Sequence, residues 1–339
     1  MKDNRVLLGF SGGIDSFAAV GLLQAAGYHV TALTLDMRGD SALLEKARLR
    51  ARTLGIPWRM RSVRERFERE VVDYFTDSYF RGRTPAPCTR CNSRIKWPCL
   101  AAEADALGIR YIATGHYFRI TSAGGKRYVT RAADNRKDQS YYLWDLPQEI
   151  LDRVLTPMGT VIKRNITEEL ADRRESMGVC FLEGRPCRDF LRSRDKTEAL
   201  RPGPIIDAAG HRLGTHDGAA LYTIGQKKGL GLPPGWAAVA IDTAANRIVA
   251  GEEKLLLHRT LEVGECRLRG IRCPRYPCGD PGHRPQPRGI RSGLPCRFGD
   301  SDRTGESRVG PGRRAARRFV PRGTGRRRRN PRTVLLTNY

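Results

Sequence analysis

The chain has 339 residues and a net charge of +25. No run of about 18 consecutive apolar residues occurs, so the sequence predicts no transmembrane helix and no membrane partner. The length permits two or three domains with a sizeable core, and the charge favours a polyanionic partner such as nucleic acid.

The opening MKDNRVLLGF lacks the charged-then-apolar layout of a secretory signal, so the protein is expected in the cytoplasm. There the nine cysteines are expected to serve metal binding or catalysis rather than a disulfide framework. RVLLGF (5–10) is a short apolar run closed by glycines, the pattern of a buried parallel strand. IDSFAAVGLLQAAGY follows at helical spacing, and Gly27 marks its stop. HVTALTLDM (29–37) predicts a second strand, and SALLEKARLRARTLGI (41–56) a second helix capped by Ser41. ERFEREVVDYFTDSYFRG (65–82) predicts a third helix. Cys88 and Cys91 then stand three apart in RTPAPCTRCNSRIKW (83–97). That spacing alone leaves zinc, redox, iron–sulfur and nucleophile readings open.

WPCLAAEADALGI reads as helix and RYIATGHY as a strand entering a loop, while KDQSYYLWDLPQEIL and TEELADRRESMGV are expected to extend the helical layer. The alternation predicts an α/β fold, a doubly wound parallel sheet, over residues 1–199. From 200 to 262, short apolar runs broken by Gly, Pro and Asp predict a small β-rich domain. Residues 263–339 follow neither period. From Cys266 to Tyr339 there are twenty arginines, no lysine and four acids, a net of +16, which leaves +9 for the rest. A disordered arginine-rich RNA-binding arm is one reading of this atypical basic tail. The preferred one is a frameshifted β-barrel domain, because Arg, Gly, Pro and Ala dominate GC-rich codons. On that reading part of the charge says nothing about RNA, and activity of the chain itself is open.

Ser11-Gly12-Gly13-Ile14-Asp15-Ser16 lies between the first predicted strand and helix. Glycines let backbone amides approach an anion, and the helix start offers unpaired N–H groups. Ser11 and Ser16 add hydroxyl donors. Asp15 would repel a phosphate, so it is expected to cap the helix or bind a metal ion. Two glycines alone would equally suit an ordinary capped turn, and neither G-x-x-x-x-G-K-[ST] nor G-x-G-x-x-G is present.

SGGIDS behind a buried strand resembles the PP-loop of the N-type ATP pyrophosphatases, which cleave ATP between the α- and β-phosphates. CTRCNSRIKW (88–97), ATGHY (113–117), KDQSYYLW (137–144), GVCF (178–181) and YTIGQKKGLGL (222–232) follow in order. Together they resemble the tRNA-specific 2-thiouridylases, over about residues 5 to 262. That family replaces O2 of the wobble uridine with sulfur. The resemblance implies an ATP site at Gly9, Phe10, Ser11, Gly12, Gly13, Ile14, Asp15, Ser16, Leu35 and Gly115, with Mg²⁺ on the phosphates. It implies Cys91 as nucleophile and Cys180 as persulfide carrier. It places tRNA against Ala86, Pro87, Cys88, His116, Lys137, Asp138 and Gln139, and less firmly against Gln226, Lys227 and Lys228. The implied partners are tRNA with a wobble uridine and a sulfur relay protein or cysteine desulfurase.

The chemistry fits these residues. C2 of uracil is a poor electrophile with a poor leaving oxygen, and adenylation turns that oxygen into AMP. Arg83, Arg90, Arg94 and Lys96 are expected to lower a thiol pKa nearby. A plain packing role would instead bury Cys180 beside Phe181. Tyr141, Tyr142 and Trp144 are expected in the helical core rather than as stacking aromatics. Many relatives carry Asp where Cys88 stands. Cys88, Cys91 and Cys180 are therefore an alternative ligand set for a [4Fe–4S] cluster. Zinc is weaker, with only Cys99 or Cys187 as a fourth ligand. A different PP-loop reaction, such as tRNA cytidine thiolation or a small-molecule amidation, and a non-catalytic RNA-binding protein are the competing functions.

Overall fold

The computed structural model describes residues 4–164, 178–195, 200–264, 317–319 and 334–337. β1 (Arg5–Gly9) is apolar throughout its middle because both of its faces are covered. Val6 and Leu8 pack with Ala19, Val20 and Leu23 of α1 (Ile14–Ala25) and with Ala47 of α2 (Ser41–Thr53). Leu7 points the other way, onto Trp97 and Leu100. With β2 (His29–Asp36), β3 (Trp58–Ser62), β4 (Tyr111–Thr114) and β7 (Val154–Leu155), β1 forms a parallel sheet of order β3-β2-β1-β4-β7. The order reverses between β1 and β4, and in such sheets ligands bind beyond the strand ends at that switch point. Gly9 and Thr114, the last residues of these two strands, are paired there. β5 (Arg119–Ala123) and β6 (Lys126–Thr130) form a separate hairpin.

The cap of α2 is Asp40 rather than Ser41: its Oδ1 accepts from Leu43 N at 2.9 Å. The third predicted helix is interrupted. α3 (Arg64–Phe67) passes through a π-helical segment, Glu68–Asp73, into α4 (Tyr74–Phe80). The cysteine stretch behaves alike: α5 (Pro87–Cys91), a π-helical segment Asn92–Lys96, then α6 (Trp97–Ala106).

Residues 137–151 do not form the continuous helix expected. They hold a 3₁₀ turn, Ser140–Leu143, and a single turn α7 (Gln148–Leu151) after Pro147. Asp138 accepts from Ala132 N, at 2.8 Å, and from Ser140 Oγ, at 2.7 Å, and these local bonds compete with the helix. Leu143 and Leu146 enter the core, whereas Tyr141 and Tyr142 stay 44% and 37% exposed, contrary to expectation. The expected helix TEELADRRESMGV lies outside the described residues for all but its last two positions.

α8 (Cys187–Arg194) leads into the β-rich part: β8 (Gly203–Ile206), β9 (Arg212–His216), β10 (Trp236–Asp242) and β11 (Arg247–Glu252), in the order β10-β11-β8-β9. Phe67, Phe75, Phe181 and Phe190 share one buried cluster with Ile205, Ala238 and Ile248 of this sheet. The two parts are thus joined by core rather than by a linker. β12 (Leu261–Gly264), β13 (Arg317–Phe319) and β14 (Val334–Thr337) make a third sheet, order β12-β14-β13. Two short strands therefore occur where no strand was expected, one of them on the apolar run VLLT. The remainder of the tail, with the arm and frameshift readings, lies outside the described residues. No helix among the described residues is long and apolar enough to cross a membrane.

Candidate active site

The turn after β1 is braced by its own hydroxyls. Ser11 Oγ accepts from Gly13 N at 3.3 Å and lies 3.3 Å from Ser16 Oγ, which donates to Gly13 O at 3.0 Å. Gly12 has φ +67°, and a Cβ there would sit 2.8 Å from Ala47 Cα. A Cβ on Gly115 would sit 2.8 Å from Ser16 N. The loop is therefore pressed between α2 and the exit of β4, and both glycines are required by close approach. Gly9, Phe10 and Ile14 support it from below. Phe10 and Ile14 are buried, Phe10 N donates to Leu33 O at 2.8 Å, and Gly9 packs on Thr114. Leu35, further along β2, is partly buried between two core clusters.

Asp15 does not cap α1; Gly13 occupies the cap position. The Asp15 carboxylate accepts from Tyr117 Oη at 2.9 Å and pairs with Lys163 Nζ at 2.9 Å. A carboxylate matched to a lysine and a phenol is not a cation site. Among the described residues no group of three or more His, Cys, Asp or Glu could hold a metal ion. Neither Lys163 nor Tyr117 announces this role in sequence, since they lie 148 and 102 residues from Asp15.

The second half of the site gathers around Lys96. Cys88 and Cys91 lie one turn apart on α5. In an unbroken α-helix, the residue five positions after Cys91 would lie about 140° round the axis. The π-helical segment closes i→i+5 instead and returns Lys96 toward the cysteine face. The Lys96 ammonium acts electrostatically on Cys88, Cys91 and His116, and the Cys180 thiol acts on Lys96 and on Cys91. Burial pushes the Cys91 thiol up to about 12 against the pull of Lys96, and it raises Cys88 in the same way. Burial also works against the charge of Lys96, but the interaction with Cys91, Cys180 and Cys88 in their ionised forms works the other way, so its pKa is raised. The expected basic neighbourhood is thus reduced to one lysine, and Cys91 is a protonated thiol. Arg90 is turned away, donating from Nε to Glu70 O at 2.6 Å and lying 4.4 Å over the Tyr74 ring. Arg83 acts on Tyr74, and Arg94 is exposed.

Cys180 opens a 3₁₀ turn, Cys180–Leu182, and is exposed, while Phe181 beside it is buried. A packing role for this cysteine is therefore excluded. Arg38 Nη1 donates to Cys180 O at 2.7 Å, across 142 residues of sequence that gave no sign of it. Cys99 is buried, with Arg66 Nη1 3.8 Å from its Sγ, and Cys187 bonds Tyr79, so neither completes a ligand set. Among the described residues no three of these cysteines are grouped as a metal site.

His116 Nδ1 is 2.8 Å from Thr114 Oγ1, and its ring stacks on Trp97 with centroids 6.4 Å apart. Burial, reinforced by Lys96, takes its pKa down to about 3, so the ring is neutral. Ala86 and Pro87 form the start of α5, directly before Cys88. Gln139 Oε1 accepts from Tyr117 N at 3.0 Å, and its N–H donates to Tyr117 O at 2.8 Å. Asp138 is turned inward, accepting from Ala132 N and Ser140 Oγ. Lys137 is half-buried beside them. Gln226 is likewise spent inside its loop, on Thr223 N at 3.2 Å and Lys228 O at 2.9 Å, and Lys227 pairs with Glu253 at 2.6 Å. Tyr142, assigned to the core by its pattern, instead feels the Cys88 thiol, which contributes to raising its pKa after burial.

A glycine loop at the switch point of a parallel sheet, with a lysine coupled to three cysteines nearby, defines a PP-loop α/β protein. The family model described as tRNA methyl transferase HUP domain matches residues 4–184, and that described as tRNA methyl transferase PRC-barrel domain matches residues 188–252. The chain is 40% identical over 281 residues to the tRNA-specific 2-thiouridylase MnmA 2 of Phocaeicola vulgatus, covering 79% of this chain and 78% of that protein. It is 42% identical over 252 residues to MnmA 1 of Bacteroides fragilis (68% and 69%) and 40% identical over 279 residues to MnmA of Moorella thermoacetica (75% and 78%). The chain belongs to the tRNA-specific 2-thiouridylase family.

Proposed function

We propose that this protein makes 2-thiouridine at the wobble position of tRNA, as an ATP-dependent tRNA-uridine 2-sulfurtransferase. The observation that carries the reading is the meeting of an exposed cysteine, Cys180, with buried Cys91 and the Lys96 ammonium. In the first step uracil O2 attacks the α-phosphorus of ATP, the α–β P–O bond breaks, and pyrophosphate leaves. The backbone amides and hydroxyls of Ser11 to Ser16 hold the phosphates, with Lys163 offsetting the charge of Asp15. Mg²⁺ would arrive with the nucleotide and offset phosphate charge.

In the second step the terminal sulfur of a Cys180 persulfide attacks C2, and the C2–O2 bond breaks with AMP as leaving group. Cys91 thiolate then attacks Cys180 Sγ, which releases the thiolated base and forms a Cys91–Cys180 disulfide. A dithiol reductant restores the two thiols. The exposure of Cys180 suits loading by a sulfur relay protein or a cysteine desulfurase in the cytoplasm. The buried, protonated Cys91 must lose its proton at this last step, and Lys96 is the cation beside it. Mass analysis of tRNA nucleosides from a deletion strain tests the reading. Wobble 2-thiouridine should disappear, and an undiminished level would sink it.

A further inference from the structure

The turn that carries Cys180 is conformationally costly. Glu183, three residues on, has φ +53°, a left-handed backbone that L side chains with a Cβ rarely adopt. The turn has no side-chain cap of its own. Such a conformation persists only where surrounding groups impose it. One guanidinium nitrogen does so here: Arg38 Nη1 donates to Cys180 O at 2.7 Å and to Glu183 Oε1 at 2.9 Å, closing both ends of the turn.

Arg38 is itself fixed. Asp36, the last residue of β2 and 3% exposed, accepts from Arg38 N at 3.3 Å, Gly39 N at 2.7 Å and Arg64 Nε at 2.7 Å. Arg38 Nη2 also lies 3.6 Å from Asp40 Oδ2, the cap of α2, and α2 presents Ala47 to Gly12 of the nucleotide loop.

We propose that Arg38 is a positioning residue for sulfur transfer, which holds the Cys180 turn against the C-terminal end of β2 and so at a fixed place relative to the nucleotide loop. This rests on the reading of Cys180 as the sulfur carrier. Arg38 touches the carbonyl of Cys180, not its sulfur, and acts through the turn.

The test uses the full-length protein with Arg38→Ala, Arg38→Lys and Glu183→Gln, each checked for an unchanged melting temperature. Hydrogen exchange across residues 179–183 should rise about tenfold or more in Arg38→Ala. The single-turnover thiolation rate should fall about tenfold or more, while the Kd values for ATP and tRNA stay within about twofold. Arg38→Lys should recover part of both losses. Glu183→Gln, which keeps the bond to Cys180 O, should show smaller effects than Arg38→Ala. Wild-type exchange in Arg38→Ala overturns the tether, and raised exchange with a wild-type rate overturns its part in sulfur transfer. Cys180→Ala in the same assay keeps the failures apart. Full activity in that variant removes the carrier role, and the positioning role with it, whereas exchange alone still reports on the tether.

Discussion

Lys163 Nζ lies 2.9 Å from Asp15 Oδ2 and ties the first turn of α1 to a segment 148 residues later. Lys163 is only 7% exposed, so the pair is shielded on the lysine side. Without it, a carboxylate held only by the neutral Tyr117 hydroxyl would stand in a loop built to receive phosphates.

Lys163→Met is therefore expected to weaken ATP binding. The Asp15 side chain is 36% exposed, which reduces the loss well below that of a fully buried pair, to about 1–2 kcal/mol or roughly tenfold in Kd. Asp15→Asn added to Lys163→Met should recover part of the affinity, because it removes the uncompensated charge. Calorimetric titration with ATP measures both. Equal affinity in Lys163→Met and wild type would show that Asp15 does not face the phosphates.

The Cys91 thiol gives a pH prediction. Its pKa is pushed up to about 12 by burial against Lys96, so the thiolate fraction rises throughout the range below that value. Alkylation of Cys91 in the free protein should be slow at neutral pH and quicken about tenfold per pH unit. Lys96→Met removes the one cation among the described residues that acts on Cys91 and should slow alkylation at any fixed pH, while Lys96→Arg should preserve it. Peptide mass spectrometry after timed iodoacetamide treatment reads this site by site. A midpoint at or below neutral pH would refute the picture.

His116 sets a window of stability against pH. Its folded pKa, about 3, lies below the ordinary value of 6.5, so on acidification the unfolded chain takes up the proton first. The His116 contribution is complete above the ordinary value and is lost as pH falls from there toward 3. His116→Gln should flatten the melting temperature between these limits relative to wild type. Identical slopes in the two proteins would mean that the ring already takes its proton when folded.

The sequence exposes the parts of this molecule that depend on local pattern. Val6, Leu7 and Leu8 read as a two-faced strand because consecutive apolar residues suit nothing else between glycines and polar chain. Gly12 is legible because the loop between β1 and α1 must be tight, whereas Gly115, at the exit of β4, is legible only through the family resemblance. What was not legible depends on distance or on helix phase. Arg38 and Cys180, or Lys163 and Asp15, meet only after the sheet is assembled. The facing of Lys96 toward Cys91 needs a π-helical turn, which no α-helical wheel predicts. The same limit misplaced Tyr142, since the helix assumed for residues 137–151 was broken by Asp138 and Pro147.

Tyr142 supplies the last prediction. It forms an edge-to-face pair with Tyr141, centroids 5.7 Å apart, and both rings remain substantially exposed. Burial raises its phenol pKa first, and the charge of ionised Cys88 adds to the rise, so the ring lies within electrostatic reach of Cys88, one of the residues at which tRNA is expected. If tRNA is held at Cys88, as that expectation has it, an exposed aromatic there would stack on an unpaired base of the anticodon loop. Tyr142→Ala should weaken tRNA binding by about 1–3 kcal/mol, the range for one base–aromatic stack. Tyr142→Phe should bind as wild type, because the stack needs the ring and not the hydroxyl. ATP affinity should be the same in all three proteins. Filter binding with a tRNA carrying a wobble uridine provides the measurement. If Tyr142→Ala binds that tRNA as tightly as wild type, the ring takes no part in holding the base.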